Sequence, residues 1–196
     1  MKKMLTKNEK NVIRMILTSF KEDYSINEIA RQCHLSPNGA LKILKKLEKA
    51  GILKIKKIAN IISYRINFEN DKTKSILELS LIPELEGKLK FRFDDLKPLQ
   101  EIVDICIIFG SYIDSKKSPQ DIDIMFIIKE SYFNKYKSLG NKIFQTMPIK
   151  VHEVLQTETD LKENIEKKDK VLIEILKKGI VLWGQDKLLN IIKNER

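Results

Sequence analysis

Two apolar runs decide most of what this chain can become. "IVDICIIFG" ends at Gly110 and "DIDIMFII" begins at Asp121. Both are short and rich in isoleucine, which suits buried neighbouring strands better than helices. The second run starts with an anomaly, since Asp121 and Asp123 stand where a buried strand would carry hydrophobes. Side chains at i and i+2 of a strand project to one side, about 6 to 7 Å apart by the strand rise. Ile122 and Ile124 face the other side. Two adjacent carboxylates repel one another and need a cation, a basic partner or a shifted pKa. A hard divalent ion such as Mg²⁺ is the simplest answer, and it brings phosphate oxygens as further ligands.

The loop between the runs fits that chemistry. Gly110 at a strand end lets the backbone approach a ligand closely. The N–H groups that follow can form an anion-binding nest, with the Ser111 hydroxyl as a further donor. Lys116 and Lys117 lie in the same loop and suit the steering of a triphosphate. The plainer alternative is a structural hairpin with capped aspartates. "FGSY…DID" resembles the G-S…D-x-D motif of the DNA polymerase β-type nucleotidyltransferases, particularly their minimal branch. That resemblance implies nucleotide binding by Gly110 and Ser111 and two Mg²⁺ ions on Asp121 and Asp123. It also implies transfer of a nucleotidyl group from a nucleoside triphosphate to a hydroxyl, with pyrophosphate leaving. The chain departs from the family pattern in reading "IDS" where many members carry Arg-Gly, and in Gln120 where a serine often stands. The family usually takes a third carboxylate from a later strand. "MPIKVHEVLQT" is the candidate strand and Glu153 its acid, expected as a third catalytic and metal-binding residue. By alternation Glu153 shares a face with Ile149 and Val151, with His152 on the other. A register that turns His152 toward the aspartates would leave the third acid missing.

The N-terminal part has a different character. Residues 1–70 hold 15 Lys/Arg against 6 Asp/Glu, a balance of +9, whereas residues 71–196 hold 22 against 21, a balance of +1. Two modules are implied, and the basic one suits a polyanionic partner. "NVIRMILTSF" has apolar residues at helical spacing. Ser25 and Glu28 form a capping-box signature for a second helix. Ser36 and Pro37 start a third helix, and Gly51 stops it. The three-residue linker "HLS" forces the second and third helices to cross steeply, and His34 within it reads as a turn residue. Ala40, Leu41, Ile43, Leu44 and Leu47 make the third helix's buried face. Asn38, Lys42, Lys45 and Lys49 recur on the opposite side, with Lys46 beside them. "ILKIKKIANIISYRINF" then reads as a basic hairpin. The sequence of three helices and a basic hairpin resembles the winged helix-turn-helix fold of many transcription regulators, over roughly residues 5–68. The resemblance implies DNA contacts from Ser36, Asn38, Lys42, Lys45, Lys46, Lys49, Lys56, Lys57 and Arg65. Lysines would mostly touch phosphates, and the asparagine could read a base edge. A solvated lysine face or a protein-contact winged helix is the alternative.

The whole chain is expected to be α+β. Residues 1–70 form a winged helix-turn-helix domain and 71–83 a linker helix. Residues 84–196 form a nucleotidyltransferase domain with a mixed sheet flanked by helices. "PELEGKLKFRFDDL" reads as helix despite Gly87, and Trp183 reads as a packing residue. Cys33 and Cys106 lie far apart in apolar surroundings and look like buried hydrophobes. No signal-type or membrane-spanning run is evident, so a cytoplasmic protein without a membrane partner is expected. Two functions stay open. One is a Mg²⁺-dependent nucleotidyltransferase tethered to a DNA-binding domain, with a protein or nucleic-acid acceptor. It includes the antitoxin-like case of modifying a partner toxin. The other is a DNA-binding regulator whose second domain has decayed into a nucleotide sensor. A homodimer is expected by analogy alone.

Overall fold

The computed structural model describes residues 5–18, 20, 24–58, 61–113 and 119–195. The chain divides into two compact units, Met1–Leu81 and Ile82–Arg196, and the fold is α+β.

The first unit runs α1 (Lys7–Thr18), α2 (Ile26–Gln32), α3 (Pro37–Lys49), β1 (Leu53–Ile58), β2 (Ile61–Ile66) and α4 (Asp71–Leu81). The Ser25 hydroxyl accepts from the Glu28 N–H, while the Glu28 carboxylate accepts from the Ser25 N–H. That reciprocal pair fixes where α2 begins. Ser36 caps α3 by accepting from the Gly39 N–H, and Pro37 fills the first helical position. His34, between the two helices, takes a left-handed φ of 54°, as a tight turn requires. Val12, Ile13, Leu17, Ile29, Ala40, Leu44 and Leu77 are buried together as core residues. Leu41 and Ile43, expected in that core, are only half-buried. β1 and β2 form an antiparallel hairpin with Leu53 opposite Ile66 and Ile55 opposite Tyr64. α4 packs on α1 within this unit.

The second unit runs α5 (Gly87–Leu96), β3 (Val103–Phe109), β4 (Asp121–Ile128), α6 (Phe133–Thr146), β5 (Lys150–Gln156), α7 (Glu158–Glu166), α8 (Lys170–Lys178), β6 (Ile180–Trp183) and α9 (Gln185–Asn194). Short 3₁₀ turns follow α5 and β3 and precede α6. Helix α5 starts at Gly87 rather than at Pro83, where the sequence pattern would begin it. The sheet order is β5-β4-β3-β6. β4 and β5 are parallel, and the other pairs are antiparallel.

Alternation along β3 and β4 divides the sheet into two faces. Cys106, Ile108, Ile122, Ile124, Phe126 and Ile128 belong to one hydrophobic cluster with Leu96, Leu99, Tyr136, Met147 and Trp183. Phe126 is fully buried and stacks on Phe144, with Tyr136 edge-on at 5.5 Å between ring centroids. Burying a side chain of this size contributes about 2–3 kcal/mol. Trp183 donates its indole N–H to the Val103 carbonyl at 2.9 Å, so it serves packing. Helices α7 and α8 approach β4 and β3. At Gly179, a Cβ would stand 2.7 Å from an Ile107 methyl and 2.6 Å from the Ile175 carbonyl, so glycine there allows the end of α8 to lie close to β3.

Candidate functional site

β3 ends where a glycine is required twice over. Gly110 has φ +71°, and a Cβ there would stand 2.1 Å from Asp123 Oδ2. Any side chain at 110 would occupy the space of the Asp123 carboxylate. The glycine therefore presses the turn's backbone against the second aspartate, a requirement that the sequence pattern alone does not reveal. Ser111 follows in a 3₁₀ turn, Gly110–Ile113. Tyr112 anchors that turn, since its ring is buried and its hydroxyl donates to the Lys88 carbonyl at 3.4 Å. Lys88 Nζ lies 4.9 Å from the centre of the same ring. Lys116 and Lys117 lie outside the described residues.

Asp121 and Asp123 share one face of β4 and are both half-buried. Strand pairing sets their neighbours. Phe109 of β3 lies opposite Asp123, and on the other side His152 of β5 lies opposite Asp123. Directly paired residues point to the same side of a sheet. His152 Nδ1 is accordingly 3.6 Å from Asp121 Oδ2 and 3.6 Å from Asp123 Oδ1.

The same register corrects the expectation for Glu153. It pairs with Ile124, on the face away from the aspartates. There its carboxylate accepts a hydrogen bond from the Tyr136 hydroxyl of α6. Burial, reinforced by the neighbouring Glu153 carboxylate, holds the Tyr136 phenol well above its ordinary pKa. Glu153 thus supports the packing of α6 and is not a third acid of the aspartate cluster. Among the described residues no group of three or more His, Cys, Asp or Glu side chains is placed to hold a metal ion by itself.

The aspartate face carries two carboxylates beside one imidazole, so a divalent cation there would need phosphate oxygens as its further ligands. Two fully ligated ions, as expected from the sequence, would lack an acid.

Beside Gly110 opens a cavity of about 780 Å³. Phe109, Gly110 and Ile113 line it from the end of β3 and its turn. Lys170, Val171, Glu174, Ile175 and Lys178 line it from α8. These residues recur at helical spacing, so one face of α8 forms that wall. Ligand pockets typically hold about 300–1,000 Å³, mostly apolar with a few polar groups, and this cavity fits that description. Lys170 and Lys178 are positive groups that the sequence reading passed over. Only the placement of α8 beside β3 reveals the cavity. Lys178 also pairs with Glu174 one turn earlier.

In the first unit, Asn38, Lys42, Lys45 and Lys49 are exposed along α3. Ser36 is exposed too, but its hydroxyl oxygen caps α3. Lys46 is different. Its ammonium meets Glu9 Oε1 of α1, whose side chain is 6% exposed, so this lysine ties α3 to α1. The basic residues of the hairpin do not form one stripe. Lys54 lies opposite Arg65 and Lys56 opposite Ser63 on one face, while Lys57 lies opposite Ile62 on the other. Lys56 and Arg65 are half-buried and Lys57 is exposed.

Comparison with known families agrees with this division. Residues 5–54 match the family described as winged helix-turn-helix DNA-binding. Residues 96–188 match the family described as polymerase beta, nucleotidyltransferase. No curated protein and no solved structure matches the chain. No helix among the described residues is long and apolar enough to cross a membrane.

Proposed function

The chain joins a winged helix-turn-helix DNA-binding domain to a polymerase β-type nucleotidyltransferase domain, and on that premise we propose that it binds DNA through the first and transfers a nucleotidyl group with the second. The observation that carries the catalytic reading is the fit of Gly110 against Asp123 beside a nucleotide-sized cavity. A nucleoside triphosphate fits there with its phosphates toward the Gly110–Ser111 turn and its base on the apolar wall of Phe109, Ile113 and Ile175. Lys170 and Lys178 supply positive charge, with Lys116 and Lys117 of the loop as further candidates. Asp121 and Asp123 would hold a divalent cation together with phosphate oxygens, with His152 beside them. When bound, such an ion supplies charge stabilisation to the phosphates. In the reaction the acceptor hydroxyl oxygen bonds to the α-phosphorus. The bond between that phosphorus and the oxygen bridging to the β-phosphate breaks, pyrophosphate leaves, and the hydroxyl proton passes to solvent. The acceptor is a protein or a nucleic acid, with a toxin-like partner protein as one case.

The test uses nucleoside triphosphate labelled at the α- or the γ-phosphate, with Mg²⁺ or Mn²⁺ and the full chain. Only the α-label should appear on a macromolecular acceptor. The double substitution Asp121→Asn, Asp123→Asn should lower transfer at least about a hundredfold, because removing preorganised charge at a reacting phosphate has effects of that order. Undiminished transfer by that variant would sink the assignment.

A second reading draws support from His152 in the place of an acid. In it the second domain binds nucleotide without transferring it, and DNA affinity reports nucleotide occupancy. Saturable nucleotide binding with no transferred label, and a change in DNA affinity on adding nucleotide, would favour that reading.

A further inference from the structure

A second cavity opens at the far end of β4 from the aspartates, with a volume of about 390 Å³. That size lies within the usual range for small-molecule pockets. We propose that it binds a small organic guanidinium, a planar cation carried on a short alkyl stem.

Its place in the sheet favours a ligand. β4 and β5 are parallel, and the cavity lies where both end, at Ile128, Leu155, Gln156 and Thr157. Sheets with parallel strands commonly take ligands outside the carboxyl ends of those strands. Asp121 begins β4 and Ile128 ends it, so the strand rise puts roughly 20 Å between the aspartates and this cavity. The site is therefore separate, and it does not depend on the nucleotidyltransferase reading.

The walls set the ligand's chemistry. Ile128, Leu155 and Phe133 give an apolar lining, and Phe133 leaves 41% of its surface open. Gln156 Oε1 is enclosed, yet it accepts no hydrogen bond among the described residues. A buried acceptor without a partner costs free energy, and a ligand that donates to it recovers that cost. Glu130 and Asp160 also line the cavity, and none of its described lining residues is basic. Asp160 accepts the Thr157 N–H and hydroxyl on one oxygen, Oδ2, at the start of α7. Those bonds hold its carboxyl below the usual carboxylate range, so it stays ionised at neutral pH. The cavity thus offers carboxylates, one neutral acceptor and an aromatic ring. A guanidinium suits all of these, with a fork for a carboxylate, further N–H groups for the amide oxygen and a plane that stacks on the ring. Lys137 Nζ lies 4.8 Å from the centre of the Phe133 ring, so this ring already draws a positive group.

The experiment titrates the full-length protein with n-butylguanidinium by calorimetry, beside n-butylammonium and the uncharged n-butylurea. Butylguanidinium should bind saturably, with the other two at least about tenfold weaker, because bidentate charged hydrogen bonds are lost. Gln156→Leu should weaken butylguanidinium at least about tenfold and, without ligand, raise the melting temperature, since the orphaned acceptor is gone. Asp160→Asn keeps an oxygen for the cap but removes the charge, and should weaken butylguanidinium while leaving butylurea unchanged. The double substitution Asp121→Asn, Asp123→Asn should leave butylguanidinium affinity within about twofold, as expected for distant sites. No saturable binding (a cavity filled by water alone) would overturn the proposal. So would equal affinity for the three probes, unchanged affinity or a lower melting temperature in Gln156→Leu, or a large loss in the aspartate double variant, which would place the cation at the other site.

Discussion

Asn38, Lys42, Lys45 and Lys49 are neighbours because they lie three or four apart on one helix. Asp121, Asp123 and His152 are neighbours because two strands distant in the chain pair in one particular register. The helix face survives any small shift of α3, since its period is local. The aspartate face does not. A slip of one residue between β4 and β5 would replace His152 by a glutamate and supply the missing acid. The first unit carries its functional side chains on a local pattern, and the second assembles them across a sheet. Substitutions can probe that difference.

The largest effect is expected at the turn that holds the assembled site together. Gly110→Ala puts a Cβ at φ +71° and 2.1 Å from the Asp123 carboxylate. A non-glycine residue in such a region costs about 1–3 kcal/mol, before the clash is counted. Thermal unfolding should show a lower melting temperature, and nucleotide binding should weaken. Combined with Asp123→Ala, the stability loss should shrink, since the clashing carboxylate is gone. Equal losses in the two backgrounds would show that the contact with Asp123 is not the reason for the glycine.

Legibility followed the same divide. The caps at Ser25 and Ser36 and the exposed row on α3 are readable because each depends on residues within one or two turns. The pairing of Gly110–Ser111 with Asp121 and Asp123 is readable because one loop joins them. Alternation within β5 separates His152 from Glu153 but does not say which faces the aspartates, because that choice belongs to pairing with β4. The α8 wall of the cavity is beyond the sequence for the same reason. Lys170 and Lys178 gain their meaning only from the strand beside them. Lys46 is the instructive exception on the local side. It belongs to the basic row by period, yet its partner Glu9 lies on another helix.

That exception gives the next test. Lys42→Ala and Lys45→Ala should each weaken DNA binding and lower the slope of log K against log salt by about 0.9, one phosphate contact each. Lys46→Ala should leave the slope unchanged and lower the stability of the first unit. A slope change at Lys46 equal to that at Lys42 would return it to the DNA face.

The Glu9–Lys46 contact also sets a pH dependence. Burial pushes the Glu9 carboxyl up, but hydrogen bonds from Lys46 and the Thr6 backbone, with the Lys46 charge, more than reverse this and hold it below the usual carboxylate range. The unfolded chain therefore binds a proton at higher pH than the native one. The contribution is fully present above the unfolded carboxylate range and is lost as pH falls through the lowered native value. Glu9→Gln should flatten the acid limb of unfolding free energy against pH. An unchanged limb would assign acid sensitivity elsewhere.

The smallest effect is expected at Glu153. Its side chain holds the Tyr136 hydroxyl on the face opposite the aspartates. Gln can still accept that bond, so Glu153→Gln should cost no more than about 1 kcal/mol of stability, the net worth of an ordinary hydrogen bond. Cation binding and label transfer should stay within about twofold of wild type, since no reacting group is touched. His152→Ala, one residue away and also exposed, should instead change cation binding. The two variants alter neighbours in sequence that differ only in which face they occupy. If Glu153→Gln abolished transfer while His152→Ala did not, the β4–β5 register would be the element in error, and the catalytic face would have to be rebuilt around a third acid.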